Sequence, residues 1–126
     1  MRVETAISRA EPEVAPLDFS GDWKNELLSK MHLKQAGSSL SGSYTSYKNG
    51  AGEIAATGDL VGWASGKLIA FSVNWKGLNS ITAWVGQFVE DQDGPRLETL
   101  WQMTKTVPDG SEWESINAGA DRFWRV

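Results

Sequence analysis

With 126 residues, the chain suffices for a single domain with a genuine but modest core. Its formal net charge of −4 leaves no electrostatic footprint for nucleic acid or an anionic membrane. No apolar run approaches the ~20 residues that a spanning helix requires, and the absence of cysteine excludes disulfides, thiolate metal sites and a thiol nucleophile. Seven tryptophans stand against two tyrosines and four phenylalanines. An indole pairs a large apolar body with one donor, which suits a wall that must pack and also present a polar edge. Thirteen glycines separate strand-like runs, which predicts an all-β chain with many turns.

Residues 1–18 hold two prolines and mixed charge with no useful period, and read as a flexible arm preceding a domain over 19–126. They carry no apolar h-region of a secretory signal. From Gly21 the chain breaks into short alternating runs. Trp23, Asn25 and Leu27 share one parity, and Met31 and Leu33 alternate with His32 and Lys34. After the turn at Gly37-Ser38-Ser39, Leu40, Gly42, Tyr44 and Ser46 share a face. Lys48-Asn49-Gly50-Ala51-Gly52 is a loop, Asn-Gly being a strong turn signal. A fourth run spans about Glu53 to Asp59, with Ala64-Ser65-Gly66 in the next connection. The fifth, Leu68 to Trp75, puts Ile69, Phe71, Val73 and Trp75 inside.

The stretch Ser80-Ile81-Thr82-Ala83-Trp84 then shows two unlike faces. Strand alternation places Ser80, Thr82 and Trp84 on one side and Ile81, Ala83 and Val85 on the other. Two hydroxyls and an indole in a row fit the lining of a small ligand pocket; a half-buried strand with a tryptophan in the core is the plain alternative. Leu97, Thr99, Trp101 and Met103 share a face of the seventh run. Val107 to Ala120 has no clean period, and Asp121, Phe123 and Arg125 close the chain as a short last strand.

Eight strands with short connections and no helix of useful length predict an eight-stranded antiparallel up-and-down β-barrel, wide enough for side chains or one small ligand. A β-sandwich competes, but nothing demands the long crossovers of a Greek key. Inside the barrel the parities collect Asn25, Ser29, Tyr44, Ser46, Ser80, Thr82 and Asp121 among Trp23, Phe71, Trp75, Trp84 and Trp101. So many inward polar groups must pair with each other or with water, or await a polar ligand. Taken singly, Asp121 reads as a buried structural carboxylate and His32 as a solvated surface residue. No nucleophile–base–orienter set and no metal-ligand cluster is visible, so neither an enzyme nor a cofactor is expected. The outward Ile81, Val85, Val89, Leu100 and Trp124 concentrate on the last three strands, which argues for a subunit interface.

From Gly21 to the C-terminus the chain resembles the avidin and streptavidin family of biotin-binding proteins. Six blocks carry the resemblance in family order: Gly-Asp-Trp-Lys-Asn-Glu-Leu-Leu-Ser, Ser-Gly-Ser-Tyr-Thr-Ser, Val-Asn-Trp-Lys, Ser-Ile-Thr-Ala-Trp-Val-Gly-Gln, Leu-Trp-Gln-Met and Trp-Glu-Ser-Ile-Asn-Ala-Gly-Ala-Asp-Arg-Phe. The resemblance implies a streptavidin-like barrel that binds biotin tightly and non-covalently, without catalysis. It implies that Asn25, Ser29 and Tyr44 donate to the ureido oxygen, polarising that carbonyl as an oxyanion hole does. Ser46 and Asp121 would meet the ureido N–H groups, Thr82 the ring sulfur, and Ser80 with Asn49 the valerate carboxylate. Trp75, Trp84 and Trp101 would wall the bicyclic ring, and Trp113 would reach a neighbouring subunit's pocket. A homo-oligomer, tetramer before dimer, and a secreted or periplasmic location are implied in the same way. Ala83, Asn117 and Ala120 depart from residues common in the family; Ala83 points outward, and the other two lie where subunits meet. A lipocalin-like carrier of another small ligand is the alternative function, with a less polar interior as its mark, and a small hydrolase or isomerase barrel is a further one.

Overall fold

The computed structural model describes residues 1–12, 17–48 and 52–126. A short helix, α1 (Val3–Ser8), lies within the stretch expected to be an irregular arm. Eight strands follow: β1 (Gly21–Asn25), β2 (Lys30–Ala36), β3 (Ser39–Tyr47), β4 (Ile54–Ser65), β5 (Leu68–Trp75), β6 (Ser80–Asp91), β7 (Gly94–Lys105) and β8 (Ile116–Arg125). Each pairs antiparallel with the next, and β1 pairs with β8, closing an up-and-down barrel. The architecture expected from the alternation is therefore present.

Closure gives every strand one inward face, and the apolar residues of alternating parity fill it. In β5 these are Ile69, Phe71, Val73 and Trp75, all buried as the pattern predicts. One end of the barrel is packed solid. Phe19 is fully buried there, its N–H donates to Gln35 Oε1 (2.8 Å), and its carbonyl accepts from Trp23 Nε1 (2.9 Å). The Arg125 guanidinium lies 4.4 Å from the centre of the Trp23 ring, a cation–π contact that covers the plug. Higher up, the Trp84 ring stacks between Tyr44 and Phe71, with both centroid separations 5.0 Å.

Three boundaries differ from the sequence reading. The fourth strand continues past Asp59 to Ser65, so Ala64 and Ser65 are strand rather than connection. Its apolar rhythm is broken by Gly58 and Gly62, yet Leu60 and Ala64 are buried and keep the inward parity. At Gly62 a Cβ would collide with the Ala70 carbonyl and the Phe71 backbone, so glycine there permits close approach of β5. The last strand begins at Ile116, well before Asp121, because ladder pairing with β7 holds the small, unpatterned Asn117 to Ala120. The first strand ends at Asn25, and Leu27, expected inside, is 72% exposed in the following turn. There Leu28 adopts a left-handed φ of 66°.

Candidate functional site

The end of the barrel opposite the Phe19 plug is open. A cavity of about 560 Å³ lies there, lined by Ser46, Ala56 and Trp75 on one side and by Ser80, Met103 and Lys105 on the other. Beneath it sits a layer of polar side chains held by neighbouring strands.

Asn25, at the end of β1, is buried, and its side-chain oxygen accepts from the backbone N–H groups of Leu27 and Ser29, each at 3.0 Å. Those two bonds fix which end of the amide is which, so Nδ2 must face the interior. It does, donating to the Tyr44 hydroxyl at 3.2 Å. Tyr44 on β3 is buried, and burial pushes its hydroxyl well above the ordinary phenol range; the nearby Asp121 charge adds to this, and a hydrogen bond with Ser29 works against it. Tyr44 therefore remains a protonated donor at any ordinary pH. Ser29, also buried, completes a cluster of three donor-bearing groups from β1, the β1–β2 turn and β3.

Across the barrel Asp121 on β8 is half-buried. Its Oδ2 accepts from Trp84 Nε1 at 2.9 Å, and its backbone carbonyl accepts from Thr99 Oγ1 at 2.9 Å. Burial raises its carboxyl above the ordinary range, the Trp84 hydrogen bond opposes that rise, and Glu26 adds to it. Trp75 Nε1 donates to Thr82 Oγ1 at 2.9 Å, which locks the indole and leaves the threonine proton to point elsewhere. The Ser80 hydroxyl is buried and has no hydrogen-bond partner among the described residues. Trp101 stands opposite Trp84 on one side and Gly119 on the other. A Cβ at Gly119 would lie 2.6 Å from Trp101 Cζ2, so only glycine lets the indole lie flat on β8.

The structure thus gathers most of the residues expected in the site. Asn25, Ser29 and Tyr44 form the floor, Asp121 and Trp84 one wall, and Trp75 with Thr82 another, while Ser46 and Ser80 lie at the mouth. Trp113 is different: it sits on a 3₁₀ turn (Glu112–Glu114) between β7 and β8, is 81% exposed and lines no described part of its own cavity. Asn49 lies outside the described residues. His32 is exposed as expected and pairs with Asp22 at 2.7 Å. Among the described residues no cluster of three or more His, Asp or Glu side chains is arranged to hold a metal.

Sequence reasoning missed Met103, Lys105 and Thr106 as lining residues. A signal was present for two of them: Met103 and Lys105 share the parity of Trp101, and Lys105 pairs across the ladder with Ser80. Chemically, three donor-bearing side chains and a carboxylate share the barrel interior with stacked aromatic rings. That arrangement complements a flat, uncharged group with an acceptor oxygen on one side and N–H donors on the other.

Comparison with known proteins agrees with this fold. Gallus gallus avidin is 28% identical over 118 residues, covering 86% of this chain and 78% of its own length. Avidin-related protein 4/5 of Gallus gallus is 30% identical over 117 residues, covering 86% and 77% respectively. Among solved structures, a biotin binding protein from chicken has a TM-score of 0.73 at 28% identity and covers 90% of this chain and 99% of its own. A rhizavidin–biotin complex has a TM-score of 0.73 at 29% identity, covering 85% and 99%. The sequence profile of the avidin family matches residues 13–126, every strand of the barrel included. The chain belongs to the avidin family, a family of non-catalytic binding proteins.

Proposed function

We propose that this protein binds free biotin non-covalently, one molecule per barrel, with no chemical change. One observation carries the reading: the donor-bearing side chains of Asn25, Ser29 and Tyr44 share the barrel interior with the Asp121 carboxylate, among the rings of Trp75 and Trp84. A ureido group fits between them. Its oxygen accepts from the three donors, and its N–H groups donate to Asp121 and Ser46, the first as a charge-assisted bond. Thr82 lies beside the ring sulfur, and the valerate chain runs to the mouth at Ser80. The chain's own hydrogen bonds orient the carboxylate through Trp84 and the tyrosine through Asn25, so little ordering accompanies binding. The similar rhizavidin structure is itself a biotin complex, which supports the same ligand.

The assembly in this reading is a homotetramer of a secreted or periplasmic protein. Support comes from the outer face, where Val61, Trp63, Val85 and Leu100 are exposed around Ala70 and Ala83 on adjoining strands. Asp59, Asn74, Glu98 and Arg122 border this apolar centre, and a polar rim around an apolar centre is the anatomy of an interface. A second copy of the chain covers this face, and Trp113 crosses to a neighbour's pocket.

Calorimetric titration with biotin beside thermal unfolding and light scattering tests both parts. One biotin per chain and a strong upward shift in Tm are expected, since a ligand bound only by the native state stabilises it by mass action. No shift at saturating biotin would refute the binding reading. A monomeric mass would refute the assembly.

A further inference from the structure

β1 ends at Asn25, whose Cα pairs with Phe123 of β8. One step further the ladder would set Glu26 opposite Arg122, but the chain has already turned toward Leu28 and its left-handed φ of 66°. The Glu26 side chain makes the link instead, its Oε1 accepting from the Arg122 backbone N–H at 2.6 Å. That N–H belongs to the peptide unit that follows Asp121, and the carbonyl of the same unit accepts from Thr99 Oγ1 at 2.9 Å. N–H and C=O of a trans peptide point in opposite directions. Two side chains, one from β7 and one from the β1–β2 turn, therefore grip a single peptide plane from its two sides. The Asp121 carboxylate stands beside that plane, its Oδ2 fixed by Trp84 Nε1 at 2.9 Å.

The same contact brings a second negative charge close to the site. The groups that share the interior with Asp121 are neutral: Thr99 on β7, Asn25 on β1, Trp84 on β6 and the protonated Tyr44 on β3. On the adjoining strands Lys24, Glu98 and Arg122 have the outward parity, and Arg122 Nε donates to Glu98 Oε2 at 3.2 Å. Burial raises the Asp121 carboxyl, the Trp84 hydrogen bond opposes the rise, and the Glu26 charge adds to it.

We propose that Glu26 is a positioning residue for Asp121, one that fixes the peptide beside it and, through its own charge, makes ligand capture sensitive to pH. The proposal rests on the biotin reading and adds a control to its ureido contact. Ligand N–H groups need the ionised carboxylate as a strong acceptor, and a like charge nearby holds that ionisation back. Glu26 is exposed, so water and salt weaken its field.

Glu26→Gln and Glu26→Ala separate the two actions. Glutamine keeps an acceptor oxygen for the Arg122 N–H but no charge, and alanine keeps neither. Biotin affinity is followed against pH at low and high salt, by calorimetry or by competition and release rates where binding is too tight. Amide exchange of Arg122 is followed in the ligand-free proteins. Near neutral pH Glu26→Gln should bind like the wild type, and its loss of affinity on acidification should begin at lower pH, a difference that high salt narrows. Glu26→Ala should show the same displaced profile, bind about three- to tenfold more weakly near neutral pH and exchange the Arg122 amide faster. A Glu26→Gln profile that overlays the wild type overturns the role of the charge. Wild-type affinity near neutral pH in Glu26→Ala overturns the positioning role. A wild type that binds no biotin overturns the ligand reading, and Arg122 exchange then still shows whether Glu26 holds the peptide.

Discussion

Asn25 commits its oxygen to the backbone of the β1–β2 turn and keeps its amide for the interior, so one side chain shapes a turn and aims a donor. Asp121 is the opposite kind of residue, since burial disfavours its charged form. Asp121→Ala is expected to weaken biotin binding by about 2 kcal/mol or more, because it strands ligand donors in a dry slot. Ser80→Ala is expected to weaken it less at the wetter mouth. Calorimetric titration of the two variants measures both losses; equal losses of affinity would overturn the ranking. The pH response follows from the same carboxylate. Burial raises Asp121 above its ordinary value of 3.8, so its contribution to stability is present below that value and is lost as pH rises through the folded-state value. Ligand N–H groups favour the ionised form, so binding releases a proton wherever the free site holds one. Affinity should therefore fall as pH drops through the raised value, and Asp121→Asn should flatten that dependence in calorimetry.

Among the strands, β8 shows how a missing side chain positions a present one. Gly119 leaves room for the Trp101 indole, and Gly119→Ala forces the two together at a nominal 2.6 Å. Overpacking of this kind costs about 1–3 kcal/mol, and at a half-buried position it is relieved by swinging the ring. Biotin affinity is expected to fall by roughly tenfold with a shift in tryptophan emission, while the barrel stays folded. Wild-type affinity in Gly119→Ala would show that Trp101 does not wall the ligand. The same strand marks the limit of what periodicity reveals. In β5 four apolar residues alternate cleanly, and both ends were legible. In β4 and β8 glycine and alanine occupy inward and outward positions alike, so the ladder continues where hydropathy is silent. The inward polar residues were readable from parity and from the family-like blocks. Their pairing was not, because Trp84–Asp121 joins β6 to β8 and depends on how far each strand is staggered. Lys105 escaped notice because a charge beside a turn reads as surface unless its partner across the ladder is known.

For the whole molecule, Trp113 is the residue whose placement is least explained by its own chain. A tryptophan 81% exposed on a 3₁₀ turn leaves most of a large apolar surface in water. In the tetramer proposed above it is an anchor, and truncating such an anchor often costs about 2 kcal/mol or more. Trp113→Ala is expected to speed biotin release and to weaken the assembly together; wild-type release and wild-type mass would show that no neighbour is touched. The face carrying Val61 and Trp63 was only partly foreseen, because the far half of β4 was not recognised as strand.

The ring of strands also has a weak joint. β1 and β8 meet through three residue pairs, against twelve between β6 and β7. Asn25 stands on one side of that joint and Asp121 on the other, so a ligand gripped by both is a rivet across it. Amide hydrogen exchange should then slow on biotin binding far more at Lys24 and Phe123 than along the β6–β7 ladder. In mechanical terms the molecule is a split hoop, and in the reading proposed above its ligand fastens the clasp.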